Sequence, residues 1–154
     1  MELSEILGVE AVRAPLKATS KKRLLQELAD FAAEAYGLPS DAVYKALLER
    51  EALGPTGVGR GVAIPHARFS GVDRVLGLFV RLDKPVDFEA IDRQPVDLVF
   101  TLLAPETAGA DHLKALARVS RTLRSETVCG KLRSTFDPSA LYAILTEGKA
   151  EQAA

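Results

Sequence analysis

The sequence predicts a three-layer α/β domain in which helices cover both faces of a mixed β-sheet. Two almost uninterrupted apolar runs, Val75–Leu82 and Val96–Leu103, are typical of strands buried on both faces. Apolar residues at helical spacing, separated by charged residues, predict helices before and after these strands. The chain has 154 residues, of which 47% are apolar and 27% are charged, an ordinary globular composition. We therefore expect a single domain over residues 1–154.

Charge and cysteine content argue against several functions. The formal net charge is −1, so we expect neither nucleic-acid binding nor attraction to an anionic membrane. Cys129 is the only cysteine, which excludes an internal disulfide and a multi-cysteine metal site and suits a small buried apolar role. The first residues are acidic rather than basic, and no apolar run reaches the ~18 residues of a membrane span. We expect a soluble cytoplasmic protein without membrane insertion, cofactor or metal.

The sequence of the N-terminal part of the chain predicts a helical turn, a strand and a helix. The strand candidate is Val9–Leu16, and Pro15 limits it to a sheet edge because proline cannot donate a ladder hydrogen bond. Thr19 or Ser20 then caps an amphipathic helix that ends at Gly37. The apolar stripe of this helix predicts a core-facing element without chemistry.

A second helix carries an arginine in line with its buried face. Ser40 is its predicted N-cap, and Val43, Leu47 and Arg50 lie at positions i, i+4 and i+7. A cation in the last turn interacts favourably with the helix dipole, which is the simpler explanation. The alternative is that the half-buried guanidinium binds an anion held by the loop that follows.

Three helices follow the two buried strands. The polar segment Asp83–Gln94 is expected to connect the strands, and residues 149–154 are expected to be a disordered tail. Capping residues and a proline at a first helical position mark the helix starts. The predicted helices are Ala110–Arg124, Glu126–Arg133 with Ser125 as its cap, and Pro138–Gly148.

The loop after Arg50 is rich in glycine but has no nucleotide-binding motif. Its glycines lack the G-x-G-x-x-G spacing, and no Gly-Lys-Ser/Thr follows. A flexible connector is one interpretation. The other is a nest of backbone N–H groups that binds an anion, formed around Gly57, Gly59 and Gly61.

The two histidines are candidates for chemistry. His66 follows Pro65, which stiffens the backbone before it and leaves the ring beside the glycine-rich loop. His112 is aligned with the buried stripe at the start of its helix. Each alone could be a structural histidine. A metal site formed by the pair is weakly supported, because no third ligand is spaced to join them.

With Arg50, the glycine-rich loop, Ile64-Pro65-His66 and Asp111-His112-Leu113 identified, the chain resembles a known family over nearly its whole length. It is similar to the enzyme IIA domain of the fructose–mannitol class in the bacterial phosphoenolpyruvate-dependent sugar phosphotransferase system. The resemblance implies a mixed sheet between helices. It also implies that His66 accepts a phosphoryl group from an HPr-like histidine phosphocarrier, with Arg50 and His112 stabilising that group.

A domain without an attached permease resembles most the nitrogen-related enzyme IIA regulators. This implies regulated target proteins of the kinase, transporter or stringent-response enzyme type. The family loop usually has a hydroxyl residue where this chain has Pro55, while Thr56 still offers its hydroxyl. The alternatives are a fructose/mannitol enzyme IIA that passes the phosphoryl group to a permease IIB domain, and a non-catalytic anion-binding module.

The chemistry implied by the resemblance requires a neutral His66 with one free ring nitrogen. The other ring nitrogen is expected to donate to a carbonyl or carboxylate, which fixes the tautomer. Arg60 and Arg68 are expected to be solvated or to face the partner, with minor roles. An apolar partner surface is expected around His66. Its candidates are Val58, Val62, Ala63, Ile64 and Phe69, and packing in the core is the alternative for them.

Overall fold

The computed structural model describes the backbone of residues 1–153 and the side chains of residues 1–147. The described helices are α1 (Leu3–Ile6), α2 (Lys21–Tyr36), α3 (Ser40–Ala52), α4 (Ala110–Arg124), α5 (Glu126–Leu132) and α6 (Pro138–Ala153). The described strands are β1 (Leu7–Leu16), β2 (Gly57–Gly59), β3 (Val62–Ala63), β4 (His66–Arg68), β5 (Leu76–Val86) and β6 (Val96–Ala104).

The strands form one mixed sheet with β6 near its centre. The order is β1-β5-β6-β3-β2, and β4 also pairs with β6. Strands β5 and β6 are antiparallel, whereas β1 runs parallel to β5 and both β3 and β4 run parallel to β6. Because β5 occupies one edge of β6 along most of its length, β3 and β4 share the other edge in succession. This arrangement places His66 opposite Leu102, near the C-terminal end of β6.

Helices cover the sheet in two groups, which confirms the predicted three-layer α/β class. In one group α2 contacts α3, and in the other α1, α4, α5 and α6 contact one another in pairs. The central strands are buried on both faces, with Phe79 and Val80 of β5 and Val99 and Phe100 of β6 all 0% exposed. This burial explains the near-continuous apolar runs in the sequence.

Several boundaries follow the predicted signals. β1 lies at the sheet edge and contains Pro15, as expected. Ser20 caps α2 by accepting the N–H of Arg23, and Gly37 ends that helix with a φ of 69°. Ser125 caps α5, and α4 has its predicted bounds.

Three boundary predictions were wrong. Ser40 does not cap α3 but lies inside it, where its hydroxyl donates to Asp30 Oδ1 at 2.5 Å. The predicted strand ended at Leu82, whereas β5 continues to Val86 and includes Pro85. Its pairing with β6 is irregular between Arg81 and Val86, so no ladder hydrogen bond from Pro85 is required there.

The third of these predictions concerns the end of the chain. Helix α6 continues past Gly148 to Ala153, where a tail was expected. A glycine inside a helix costs only about 1 kcal/mol relative to alanine, so it does not end the helix by itself. Ala154 lies outside the described residues. In the part of the chain that is described, every helix is too short or too polar to cross a membrane.

Candidate active site

His66 is the first residue of β4, and one of its ring nitrogens is hydrogen-bonded within the protein. Its Nδ1 lies 2.8 Å from the carbonyl oxygen of Ile64. A carbonyl can only accept, so Nδ1 carries the proton and Nε2 of the neutral ring has a free lone pair. The backbone just before His66 is fixed, since Ile64 N–H donates to Thr56 O at 2.9 Å and Leu102 N–H donates to Pro65 O at 2.9 Å. The half-buried ring is therefore presented on an ordered strand.

His112 lies in the first turn of α4 and faces His66. The two ring centroids are 5.7 Å apart and the rings are inclined by 69°. The His112 side chain is buried, and its Nε2 atom has no hydrogen-bond partner in the described structure. Buried polar atoms are nearly always paired, so an unpaired ring nitrogen beside a second histidine is a candidate partner for a ligand oxygen.

Arg50 completes the group from the last turn of α3. Its Nη1 donates to the carbonyl oxygen of Gly54 at 3.0 Å, which anchors the guanidinium and leaves its other N–H groups available. One open cavity is lined by Arg50, His66 and His112 together. Arg68 and the apolar side chains of Leu53 and Leu113 lie at the same cavity. The structure thus brings the three predicted catalytic side chains together.

Both histidines are held in the neutral form at neutral pH. Burial lowers the pKa of His66 below its usual 6.5, and the positive charge of Arg50 lowers it further, against the raising effects of the Ile64 bond and of Glu51. Burial also lowers the pKa of His112, and the positive charges of a protonated His66 and of Arg68 act in the same direction. A neutral His66 with a bare Nε2 is a nucleophile, and the cations beside it favour an anionic ligand.

Thr56 has a different role from the predicted one. Its hydroxyl donates to both carboxylate oxygens of Glu51, at 2.7 and 2.9 Å, and its N–H donates to Oε1 at 2.6 Å. A hydroxyl has one proton to donate, so this contact leaves none for a ligand in the cavity. Glu51 was missed by the sequence analysis, because a glutamate in a helical last turn gives no local sign of burial.

The glycines stabilise a β-hairpin. Gly57 and Gly59 lie in β2, which pairs with β3, and a Cβ atom on Gly57 would lie 2.8 Å from the Cβ of Ala90. Gly61 has a φ of 78°, and its carbonyl accepts the N–H of Asp97 at 3.0 Å. Close packing and turn geometry account for these residues. The expected anion-binding nest around Gly57, Gly59 and Gly61 therefore has no support in this geometry.

Arg60 and Arg68, which were predicted to have minor roles, lie in different places. Arg68 lines the cavity, and its Nη1 donates to the carbonyl oxygen of Glu106 at 3.0 Å. Arg60 lies at the tip of the hairpin, 3.7 Å from the carboxylate of Glu126. Of the two, Arg68 is the one near the histidines.

The structure divides the five candidates for an apolar partner surface between that surface and the core. Leu53 is 84% exposed and Leu113 is 68% exposed, and both lie at the rim of the cavity. Val58 is also exposed, at 49%. Burial in the core rules out the other four predicted residues, which are Val62, Ala63, Ile64 and Phe69.

The side chains of residues 1–147 offer little support for metal or thiol chemistry. Within residues 1–147, no three His, Cys, Asp or Glu side chains are grouped so as to hold a metal ion. Cys129 is buried in α5, and its Sγ lies 3.1 Å from the carbonyl oxygen of Leu123. Burial raises the pKa of this thiol, which disfavours the reactive thiolate.

Comparison with known proteins places this geometry in a family. A nitrogen regulatory protein of Bradyrhizobium diazoefficiens is 54% identical over 145 residues, which cover 94% of this chain and 95% of that protein. The crystal structure of the nitrogen regulatory protein IIA-Ntr from Neisseria meningitidis superposes with a TM-score of 0.87 at 37% identity, covering 94% of this chain and 99% of that one.

A transport-type relative is less similar. The fructose-specific EIIA component of the phosphotransferase system from Haloferax volcanii is 35% identical over 147 residues, covering 95% of this chain and 96% of that protein. The family model for the phosphoenolpyruvate-dependent sugar phosphotransferase system, EIIA 2, matches residues 5–148. The chain therefore belongs to the EIIA type 2 family of the phosphoenolpyruvate-dependent sugar phosphotransferase system.

Proposed function

We propose that this protein is a regulatory phosphoryl carrier that accepts a phosphoryl group on Nε2 of His66. The observation that carries the proposal is the hydrogen bond from His66 Nδ1 to Ile64 O at 2.8 Å, which leaves Nε2 unprotonated in the neutral ring. That nitrogen belongs to a ring at a cavity shared with Arg50 and His112. The donor is an HPr-like histidine phosphocarrier, which presents phosphohistidine.

The transfer step balances without a further reactant. The lone pair of His66 Nε2 attacks phosphorus, a new N–P bond forms, and the N–P bond to the carrier's histidine breaks. The carrier's phosphohistidine is protonated on its other ring nitrogen, so its imidazole takes back the electron pair of the broken bond and leaves as a neutral ring. The positive charge passes to the phosphorylated ring of His66. The His66 proton stays on Nδ1, where Ile64 O accepts it, so no proton has to move before attack.

Catalysis in such a site comes from positioning and charge stabilisation. The transferred group carries negative charge on three equatorial oxygens. Arg50 offers a planar fork of donors with a permanent charge, and His112 in its Nε2–H tautomer offers a donor that has no other partner in the described structure. Each such donor typically contributes ~2.7–4 kcal/mol to transition-state stabilisation.

The nitrogen-related branch is the best supported assignment. A relative at 54% identity and a solved structure at a TM-score of 0.87 are both nitrogen regulatory proteins. We infer that the protein signals to target proteins through its phosphorylation state, with targets of the kinase, transporter or stringent-response enzyme type. Exposed Leu53 and Leu113 at the cavity rim suit the apolar centre of a small, transient carrier interface.

A transport role is the second candidate. The Haloferax volcanii relative, at 35% identity, is a fructose-specific component, and a protein of that kind would pass its phosphoryl group to a permease IIB domain. Loss of uptake of one sugar in a deletion strain would favour this role. A binding module that holds a small anion without a covalent step is the third candidate, and it predicts no phosphohistidine.

The test is incubation with phosphoenolpyruvate, enzyme I and each candidate phosphocarrier in turn. We expect an acid-labile, alkali-stable label on His66, with faster uptake from the nitrogen-branch carrier than from the sugar-branch carrier. His66→Ala is expected to take no label. Absence of label from every carrier would contradict the proposal, and preference for the sugar-branch carrier would favour the transport role.

A further inference from the structure

Glu51 is a buried carboxylate that the transfer step described above does not use. Its side chain is only 5% exposed, and it lies in the last turn of α3 directly after Arg50. Charged side chains are rarely buried unless they are paired. It is not among the residues that line the cavity around His66.

The carboxylate joins three segments of the chain. Thr56, in the loop before β2, donates its N–H and its hydroxyl to Oε1 at 2.6 and 2.7 Å. Lys21, the first residue of α2, places its Nζ 3.6 Å from the same oxygen. The ammonium of Lys21 also lies 4.7 Å from the ring centroid of Phe88, which is fully buried. The position of Thr56 is therefore fixed from the core side by a paired, desolvated carboxylate.

A continuous set of hydrogen bonds leads from Glu51 to His66. The carbonyl oxygen of Thr56 accepts the N–H of Ile64 at 2.9 Å. The carbonyl oxygen of Ile64 then accepts the Nδ1 proton of His66 at 2.8 Å. Movement of Thr56 would therefore move Ile64, whose carbonyl oxygen accepts the imidazole proton.

We propose that Glu51 is a positioning residue, which holds Thr56 and Ile64 so that His66 keeps its proton on Nδ1 and its lone pair on Nε2. The inference rests on the proposed function, because it names what prepares the ring for phosphoryl transfer. Glu51 acts through Thr56 and touches no reacting atom. Lys21 supports it by supplying the charge that a buried carboxylate requires.

The variant Glu51→Gln tests this role with little change in shape. It removes the negative charge and turns one acceptor oxygen into an amide donor, so the side chain no longer satisfies both Thr56 and Lys21. We expect the Nε2–H tautomer of His66 to gain population, measured from imidazole nitrogen chemical shifts by NMR. The rate of phosphoryl uptake is expected to fall roughly 10- to 100-fold, as small displacements of reacting groups do.

Glu89→Gln is the matched control. Glu89 is the other carboxylate partner of Lys21, also at 3.6 Å, but its side chain is 75% exposed. We expect this variant to keep the wild-type tautomer and rate. An unchanged tautomer in Glu51→Gln, or equal losses in both variants, would overturn the inference.

A pair of variants at Thr56 tests the same role if Glu51→Gln does not fold. Thr56→Val removes one donor to the carboxylate, and Thr56→Ser restores it. We expect a partial tautomer shift in Thr56→Val and the wild-type tautomer in Thr56→Ser, and identical tautomers in both would overturn the inference. The tautomer of unphosphorylated His66 is measured without any carrier, so failure of the wild type to take label counts against the proposed function alone.

Discussion

The imidazole rings of His66 and His112 lie edge to face with 5.7 Å between their centroids, although 45 residues separate them in the chain. Strand β6 brings them together. β4 pairs with the C-terminal part of β6, and α4 begins shortly after β6 ends, so both histidines lie at the same end of this strand. The Nδ1 of His66 is bonded to Ile64, whereas the Nε2 of His112 is unpaired among the described residues. In the proposed transfer, the ring of His66 is the nucleophile and the ring of His112 is a donor.

Replacement of His112 by alanine tests its role as a donor. We expect His112→Ala to take up the phosphoryl group about 100- to 1000-fold more slowly than wild type, the usual result of losing one oxyanion donor. Initial rates of label uptake from the phosphocarrier measure this. Arg121→Ala, at an exposed position of the same helix, is the control and should keep the wild-type rate. Equal rates in the two variants would contradict the assignment.

Replacement of Arg50 by lysine separates charge from geometry. The planar guanidinium offers two parallel donors to phosphoryl oxygens, whereas an ammonium is a point charge. We expect Arg50→Lys to transfer faster than Arg50→Ala and slower than wild type in the same labelling assay. Full activity in Arg50→Lys would show that only the positive charge matters.

The pH dependence follows from the lowered pKa values of both histidines. We expect the pKa of His66 to lie below 6.5, so phosphoryl uptake stays constant above that pH and falls only at lower pH. Titration of the ring by NMR measures the pKa directly. A value above 6.5 would contradict the predicted effects of burial and Arg50.

The same shifts predict a loss of stability on acidification. Between pH 6.5 and the lower folded-state pKa values, the unfolded chain binds protons that the folded chain does not. The free energy of unfolding therefore falls as the pH decreases through this window. Denaturant unfolding at a series of pH values measures it, and the pH slope should be smaller in His112→Gln.

Most of the fold was predictable because its signals are local. The buried strands follow from uninterrupted apolar runs and α4 from apolar periodicity, and Gly37 ends α2 through its left-handed conformation. Arg50 and His112 could be proposed because each continues the buried stripe of its helix, and the family resemblance gave them roles. The positions followed from spacing and residue type alone, whereas the roles came from the resemblance.

The errors depend on contacts between distant segments. Glycines suit both an anion-binding loop and a tight hairpin, and only the close approach of Ala90 to Gly57 favours the hairpin. Glu51 looks like a surface charge until Lys21 and Thr56 are seen on either side of it. The sequence could not separate surface from core for Ile64 for the same reason, and the structure buries it at 2% exposure.

Gly57 provides a test of packing against anion binding. A Cβ atom there would lie 2.9 Å from the Cα of Ala90, a backbone atom that cannot move aside freely. We expect Gly57→Ala to lower the free energy of unfolding by about 1–3 kcal/mol, as overpacking does. Gly130→Ala is the control, because its Cβ would meet nothing within 4 Å and helical alanine is favoured. A Gly57→Ala variant of normal stability but weak phosphoryl uptake would instead support the anion-binding loop.

The exposed leucines at the cavity rim predict where the phosphocarrier docks. Leu113 is 68% exposed and Leu53 is 84% exposed, so an aspartate at either position should leave the free energy of unfolding almost unchanged. In the complex the same aspartate would be desolvated against an apolar partner, which is costly. We therefore expect Leu113→Asp to raise the Kd for the carrier at least about 10-fold, measured by calorimetry or NMR titration. Ile91→Asp is the matched control, because Ile91 is 77% exposed but does not line the cavity. If both variants bind the carrier equally well, the docking surface lies elsewhere.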